Sequence, residues 1–262
     1  MGKLIVTTGR KETAENLRMA HDAAALLDCQ YIRRGQESLE ALKEAAGAEA
    51  VLVAKKQQFI LRTTEGDLFF HPGMAHLRIK NLHLGISDNL LEAMDLKKGM
   101  KVIDCTMGMG ADAIVESYAV GAEGMVTALE VSPVTAFVIG YGMQHLTAEN
   151  FDIHAAMRRV RVINTDYLSF LRRQPDKSAD VVYFDPMFRH PIESSAALRP
   201  LRTVSDHSAV SPEAVAEARR VARHRVVLKE NSRSLEFARL GFTEIAGGKY
   251  SRVHYGVIRI FE

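Results

Sequence analysis

Apolar residues along this chain occur in short runs of strand length, which alternate with longer segments whose apolar positions have helical spacing. Runs of about four to eight β-branched and aromatic residues predict buried strands, and the longer periodicity predicts helices. The elements predicted for the first part are, in order, a strand at Leu4–Thr8, a helix at 12–27, a strand at Tyr31–Arg33, a helix capped by Ser38 and ending at Ala46, and a strand at Ala50–Ala54. Phe59–Thr63 and Asp67–His71 flank Thr64-Glu65-Gly66 and predict a hairpin. Residues 1–72 are therefore expected to form a small α/β domain.

A segment rich in proline and glycine, His71–His76, predicts a domain boundary. Residues 73–98 are expected to hold a connecting segment up to Gly85 and then a helix over about Asp88–Met94. Residues 99–262 continue as alternating strands and helices, predicted at Lys101–Cys105, Asp112–Val120, Met125–Glu130, Pro133–Leu146, Arg161–Asn164, Tyr167–Arg172, Ala179–Asp185, Pro212–Ala222 and Arg225–Lys229. Such alternation predicts an α/β fold with a doubly wound, mostly parallel Rossmann-like sheet. Phe242–Ile245 and His254–Phe261 predict a final antiparallel pair of strands.

The composition limits the classes of function. The chain has 262 residues, of which 47% are hydrophobic and 25% are charged. Its apolar runs are far shorter than the ~20 residues of a membrane span, and Met1–Leu4 does not open a signal segment. We therefore expect a soluble cytoplasmic protein with no membrane contact. Cys29 and Cys105 are too few for a disulfide framework or a zinc site, and no metal is expected.

Charge is distributed unevenly along the chain. Residues 1–150 contain 15 Lys and Arg against 19 Asp and Glu, whereas residues 151–262 contain 19 against 13. Most of the second excess is arginine, which suits contact with phosphate. Arginines on solvated helix faces give the same pattern. The asymmetry supports a nucleic-acid partner without establishing one.

A glycine turn follows the predicted strand at 101–105. Gly108 and Gly110 let the backbone approach a ligand closely at the carboxyl end of that strand. The spacing also fits a dinucleotide fingerprint in which Ala113 takes the third glycine position, so the glycines alone leave the cofactor open. Asp104 ends the strand, where it would repel a pyrophosphate and attract the ammonium of a methionine moiety. This carboxylate favours S-adenosylmethionine over NAD.

Other acids lie where neighbouring strands are predicted to end. Asp112 is placed to cap the helix after the glycine turn, Glu130 suits hydrogen bonds to both ribose hydroxyls, and Asp166 can accept from the adenine amino group. Ordinary structural roles are the alternative: Asp104 as a turn residue, Glu130 as a surface strand end and Asp166 as a helix cap. Because four successive strands end near an acid, the fourth being Asp185, we favour a shared ligand site.

The tetrapeptide Asp185-Pro186-Met187-Phe188 follows the predicted strand Val181–Phe184 and combines a carboxylate, a rigid turn and an aromatic face. Asp185 and the backbone carbonyl of Pro186 can accept the two N–H bonds of an exocyclic base amine, which aims its lone pair at a methyl donor. Phe188 can stack on a base that is unpaired or flipped out of a helix. Core packing is the alternative role for Phe188.

Three blocks of the chain carry a resemblance to a known family. They are Asp104–Ala113, Leu129–Val134 and Val182–Phe188. From about Asp88 onward the chain resembles class I S-adenosylmethionine-dependent methyltransferases, and the three blocks resemble more closely the bacterial small-subunit ribosomal RNA guanine-N2 methyltransferases. Gly73–Arg78 is similar to a glycine-to-histidine-and-arginine segment of that family, and the small N-terminal domain fits its appended domain. The resemblance implies methyl transfer from S-adenosylmethionine to guanine N2 of ribosomal RNA.

The residues and the resemblance together give candidate roles. The expected catalytic residues are Asp185, Pro186 and Phe188. The expected cofactor-binding residues are Asp104, Thr106, Gly108, Gly110, Asp112, Glu130, Val131, Asp166 and Tyr167. The expected substrate-binding residues are His76, Arg78, Met187, Arg189, His190 and Lys229. Arg189 and His190 stand where the family pattern has a proline after Phe188. The expected partner is RNA, namely small-subunit ribosomal RNA or its assembly particle, and the oligomeric state is left open.

Other hypotheses remain open on the sequence alone. The acceptor of the methyl group can instead be transfer RNA, DNA or a protein amide. An NAD-dependent oxidoreductase is disfavoured by Asp104 and by the lack of an evident catalytic Tyr/Lys or His pair. A non-catalytic RNA-binding factor of ribosome assembly, which kept the fold, is the remaining alternative.

Overall fold

The computed structural model describes residues 3–186, 209–248 and 251–261. These residues form two compact units: 3–71 with 133–147, and 72–132 with 148–186, 209–248 and 251–261.

The elements before residue 72 are β1 (Leu4–Thr8), α1 (Ala14–Leu26), β2 (Gln30–Tyr31), α2 (Leu39–Ala46), β3 (Ala50–Lys55), β4 (Gln58–Thr63) and β5 (Gly66–Phe69). The next are α3 (Gly73–His83), α4 (Asn89–Met94), β6 (Lys101–Asp104), α5 (Ala111–Val120), β7 (Met125–Glu130) and α6 (Pro133–His145). The last are α7 (Phe151–Arg159), β8 (Val160–Asn164), α8 (Tyr167–Arg172), β9 (Ala179–Phe184), α9 (Pro212–Val221), β10 (Ala222–Asn231), α10 (Glu236–Arg239), β11 (Glu244–Ala246) and β12 (Val253–Arg259).

The first unit is built on a five-stranded sheet with the order β2-β1-β3-β4-β5. β1 is parallel to β2 and β3, and the predicted hairpin is confirmed because β4 and β5 pair antiparallel. Ser38 caps α2 as predicted, since its hydroxyl accepts from the amide of Ala41 at 3.0 Å. α6 also belongs to this unit and packs on β4, where Phe59 meets Phe137 and Tyr141 with ring centroids 4.8 Å apart.

The second unit contains the predicted Rossmann-like sheet. Its seven strands have the order β11-β12-β10-β9-β6-β7-β8. β6 to β10 run parallel, and the expected antiparallel end is confirmed because β12 lies between β10 and β11 and pairs antiparallel with both. β6 is central: the chain goes from β6 to β7 and β8 on one side and then crosses to β9 on the other. A parallel sheet binds its ligands where the order reverses, outside the carboxyl ends of the strands. In this sheet the reversal lies between β6 and β9.

The expected connecting segment between residues 73 and 85 is wrong, because these residues form the eleven-residue helix α3. Pro72 and Gly73 indicated a break, but they stand at the start of the helix, where proline and glycine cost least. Ala75 and Ile79, four residues apart, are both buried and hold one side of α3 against the unit. α3 is therefore the first element of the second unit.

Two smaller expectations also need correction. Asp112 does not cap α5: Gly110, with φ of 77°, holds the cap position, and Asp112 lies in the first turn of the helix. The sequence also gave no prediction for α7, which begins after Asn150. The side chain of Asn150 accepts from the amides of Asp152 and Ile153 at 2.9 and 3.1 Å. Asparagine is favoured at the N-cap position, so Asn150 could have predicted the start of α7 from the sequence.

No helix in the three described ranges has both the length and the apolar character needed to cross a membrane.

Candidate functional site

The carboxyl ends of β6 and β9 are joined by hydrogen bonds at the point where the strand order reverses. Asp104 ends β6 and Asp185 follows β9. The amide of Asp185 donates to the Thr106 hydroxyl at 2.5 Å, and the amide of Thr106 donates to Asp104 Oδ1 at 3.0 Å. The predicted cofactor strand and the predicted acceptor motif are thus brought together through Thr106.

The glycine turn needs backbone conformations that few other residues adopt. Gly108 and Gly110 have φ of 52° and 77°, in the left-handed region that favours glycine. The turn also closes on the neighbouring strand, because the amide of Met107 donates to the carbonyl of Leu129 at 2.9 Å. The start of α5 therefore lies at the carboxyl edge of the sheet.

Glu130 ties the end of β7 to the same turn. Its Oε2 accepts from the amide of Gly108 at 3.2 Å, and its Oε1 accepts from the amide of Ser132 at 2.9 Å. The side chain is buried, whereas the adjacent Val131 is exposed. Glu130 is placed at the predicted cofactor edge, and its proposed contact with the ribose stays a prediction.

Asp166 acts as a helix cap in this structure, which was its structural alternative. Its Oδ1 accepts from the amide of Ser169 at 2.8 Å at the start of α8. Tyr167 is half-buried and meets Phe184 edge-on, with ring centroids 5.6 Å apart. Asp166 can cap the helix and still contact a ligand, because its side chain is exposed beside the end of β8. Cofactor contact by Asp166 and Tyr167 stays a prediction.

Asp104 is a buried acid with one carboxylate oxygen that lacks a hydrogen-bond partner within the described ranges. Its side chain is 1% exposed, and its Oδ2 has no hydrogen-bond partner among the residues that the structure describes. Burial, and after it the carboxylates of Asp112 and Asp185, raise the pKa of Asp104 to about 8. A cationic ligand group would supply the missing partner and favour the ionised form. The unpartnered oxygen of Asp104 therefore fits the ammonium of S-adenosylmethionine.

A chain of ion pairs runs from α3 to Asp185. Arg78 on α3 donates to Asp88 at 2.7 and 2.9 Å and also to Asp112. Asp112 accepts in turn from Lys229 at 2.9 Å, and Lys229 reaches Asp185 at 2.7 Å. The site thus couples α3, α5, β10 and the end of β9 through charged side chains.

The charges in this chain set one another's protonation. Burial alone would raise the pKa of Asp112, but Lys229 and Arg78 hold it well below its usual range. Burial raises the pKa of Asp185 to about 6, against the opposing charge of Lys229. Burial lowers the pKa of Lys229, yet Asp112 and Asp185 together raise it above its usual range. Lys229 therefore favours the ionised form of the Asp185 carboxyl.

Some residues of this region were missed by sequence reasoning. Asp88 was predicted only as part of a helix, and Tyr183 only as part of a strand, although its hydroxyl donates to Asp112 at 2.8 Å. Glu116, on α5, is fully buried, and neither of its oxygens has a hydrogen-bond partner within the described ranges. A charged residue on the apolar face of a predicted helix was the available signal for Glu116.

The remaining predicted substrate residues divide into two groups. His76 is exposed on α3, whereas Arg78 is largely occupied by its two acids. Met187, Phe188, Arg189 and His190 lie outside the described residues. Their roles stay predictions.

Comparisons with known proteins identify the family of this chain. Residues 38–253 match a family described as "Putative SAM-dependent methyltransferase". The chain is 36% identical over 256 residues to "Uncharacterized protein YpiP" of Bacillus subtilis, covering 97% of this chain and 99% of that protein. It is 30% identical over 207 residues to "Ribosomal RNA small subunit methyltransferase J" of Thioalkalivibrio sulfidiphilus, covering 73% and 78%.

A solved structure has the same fold along nearly the whole chain. It is a SAM-dependent methyltransferase from Neisseria gonorrhoeae with a TM-score of 0.66 and 17% identity, covering 98% of this chain and 96% of that one. The fold and the matched family define the class: this chain belongs to the S-adenosylmethionine-dependent methyltransferases. S-adenosylmethionine is its cofactor, which excludes the NAD-dependent alternative.

Proposed function

We propose that this chain transfers a methyl group from S-adenosylmethionine to the exocyclic N2 amine of a guanine in small-subunit ribosomal RNA. The observation that carries the proposal is the position of Asp185, fixed at the reversal point of the sheet by Thr106 and Lys229. The relative named for small-subunit ribosomal RNA supports the choice of acceptor. Asp185 and Pro186 are the proposed acceptor-binding groups, and Asp104 with the glycine turn is the proposed cofactor side.

The amine needs help from the protein because its lone pair is delocalised into the base. The ionised Asp185 and the carbonyl of Pro186 accept its two N–H bonds, which makes the nitrogen more tetrahedral and fixes the direction of its lone pair. When bound, S-adenosylmethionine supplies a sulfonium methyl, whose C–S bond breaks with its electron pair going to sulfur as the N–C bond forms. The nitrogen then loses one proton, and the Asp185 carboxylate is the base placed to take it.

The basic second part of the chain gives the proposal limited support. Arg172 is paired with Glu213, and Arg220 is paired with Asp176 and Glu217. Both guanidinium groups are thus engaged by neighbouring acids, so the arginine count overstates the number available to phosphate. The proposal rests on the site and on the relative, not on net charge.

Methylation of isolated RNA by the purified protein tests the proposal. Small-subunit ribosomal RNA is incubated with methyl-labelled S-adenosylmethionine, and the nucleosides are separated by mass spectrometry. We expect N2-methylguanosine, and we expect Asp185→Ala to lower the rate at least about 10²-fold because a positioned proton acceptor contributes about 10²–10⁴-fold. Cofactor affinity should stay nearly unchanged.

Asp22→Ala is the matched control, since Asp22 is an exposed aspartate on α1. It should methylate at the parent rate. Activity of Asp185→Ala near that of the parent would refute the role of the motif. Label in transfer RNA or in protein, with none in ribosomal RNA, would refute the proposed acceptor and leave the methyltransferase class intact.

A further inference from the structure

Lys229 lies beside Asp185 because their strands are paired. β10 runs parallel to β9 with Leu228 opposite Phe184. The residues that follow these two along the chain are Lys229 and Asp185. The ammonium of Lys229 donates to Asp185 Oδ2 at 2.7 Å, and the lysine side chain is 20% exposed. The contact is therefore built into the register of the sheet.

A second carboxylate, that of Asp112, also holds the ammonium of Lys229. Lys229 donates to Asp112 Oδ2 at 2.9 Å, and the same oxygen accepts from the Tyr183 hydroxyl at 2.8 Å. The other oxygen of Asp112 accepts from Arg78, which is anchored on Asp88. Moving Lys229 away would leave the largely buried carboxylate of Asp112 with one cation fewer, which is unfavourable. The ammonium has one strongly favoured position.

We propose that Lys229 is a positioning residue of the methyl-transfer site, which keeps Asp185 ionised and occupies its Oδ2, so that Oδ1 is the oxygen that accepts an N–H of the acceptor amine. This inference rests on the proposed function. Within the described residues no hydrogen bond reaches Asp185 Oδ1, whereas Oδ2 is engaged by Lys229.

The ionised state matters for the direction of the acceptor's lone pair. A carboxylate can only accept hydrogen bonds, whereas a protonated carboxyl also donates one. A protonated Asp185 would donate toward the nitrogen lone pair and occupy the electrons that must attack the methyl group. Lys229 prevents this by stabilising the anion through charge and a short hydrogen bond. Its effect should appear in the rate of transfer rather than in cofactor binding.

Several charges oppose Lys229 at this point. Burial and the carboxylates of Asp112 and Glu230 all favour protonation of Asp185, whose pKa is about 6. The groups that face Asp185 are Lys229 and Glu230 on β10, Asp112 on α5, Asp104 at the end of β6 and Tyr183 on β9. Among these groups only the lysine carries positive charge. Its loss should therefore raise the pKa of Asp185.

Steady-state kinetics of Lys229→Met, with S-adenosylmethionine and small-subunit ribosomal RNA, test the inference. We expect kcat to fall about 10²-fold, the cost of a misplaced reacting group, with cofactor affinity within about threefold of the parent. In the plot of kcat against pH, the fall on the acidic side should occur at higher pH than in the parent. Lys229→Arg keeps the charge and should restore part of the rate and the parent's fall on the acidic side. Lys97→Met, at an exposed lysine, is the matched control and should behave as the parent does.

A second readout does not depend on RNA. Carbon-13 NMR titration of the Asp185 carboxyl should give a higher pKa in Lys229→Met than in the parent, and a nearly unchanged pKa in Lys229→Arg. An unchanged pKa in Lys229→Met, or a kcat within about threefold of the parent, would overturn the positioning role. If Lys229→Met does not fold, Lys229→Gln is titrated in its place and the same two outcomes decide.

The two proposals can fail separately. If the parent protein methylates no RNA, the proposed function fails, and the titration still decides whether Lys229 controls the protonation of Asp185. If the parent methylates RNA and Lys229→Met does so equally well, the positioning role fails and the function stands.

Discussion

Replacing Arg78 by methionine should destabilise the second unit by about 3 kcal/mol. Arg78 joins Asp88 and Asp112, and the three side chains are only 18%, 12% and 12% exposed. Removing one partner of a buried ion pair costs about 3–5 kcal/mol. The low end applies because Asp112 keeps Lys229 and Tyr183, and Asp88 keeps two amides at the start of α4.

Thermal and urea unfolding measure this loss. A change of 1 kcal/mol shifts Tm by about 2–4 °C for a unit of this size, so Arg78→Met should melt about 6–12 °C below the parent. Arg172→Met is the control, because Arg172 and Glu213 form an exposed pair whose loss should leave Tm nearly unchanged. If the two variants lose equal stability, the buried pairs of Arg78 do not hold α3 as described.

Two further predictions concern the buried acids. Asp104 has a pKa of about 8 before the cofactor's ammonium stabilises its ionised form, so S-adenosylmethionine binding near about pH 7 should release protons. Calorimetry in buffers of different ionisation enthalpy measures this proton release. Asp104→Asn should bind S-adenosylmethionine more weakly and release fewer protons. Equal proton release by the parent and the variant would contradict the contact between Asp104 and the ammonium. Burial, then Asp104 and Asp112, raise the pKa of Glu116 well above its unfolded value, so stability from this group is lost as pH rises past about 4.5. Glu116→Gln should therefore gain stability over the parent progressively with pH in urea unfolding, and a constant difference would show that Glu116 does not titrate as argued.

The fold could be predicted from periodicity because most elements carry their own local signal. The strands at Leu4–Thr8, Met125–Glu130 and Ala179–Phe184 are largely apolar segments of strand length, and their predicted bounds are nearly the observed ones. The doubly wound class of the sheet followed from the alternation of elements, and the glycine turn indicated the ligand edge. Each of these features depends on residues that are close together in the sequence, so a single sequence is enough to predict them.

The parts that failed depend on residues far apart in the chain. Pro72 and Gly73 predict a break and hence a connecting segment, whereas residues 73–83 form a helix that is held by Arg78 reaching Asp112 on another element. Asp112 was given a local capping role for the same reason. Lys229 was a candidate, but its contact with Asp185 depends on strand register, which a single sequence does not determine.

The central claim is methyl transfer to guanine N2 of small-subunit ribosomal RNA. Mass mapping of that RNA from a strain in which the gene is deleted tests the claim most directly, with strains carrying the parent gene or Asp185→Ala as comparisons. One guanine should lack a methyl group in the deletion strain, regain it with the parent gene and stay unmethylated with Asp185→Ala. An identical methylation map in all three strains would contradict the claim.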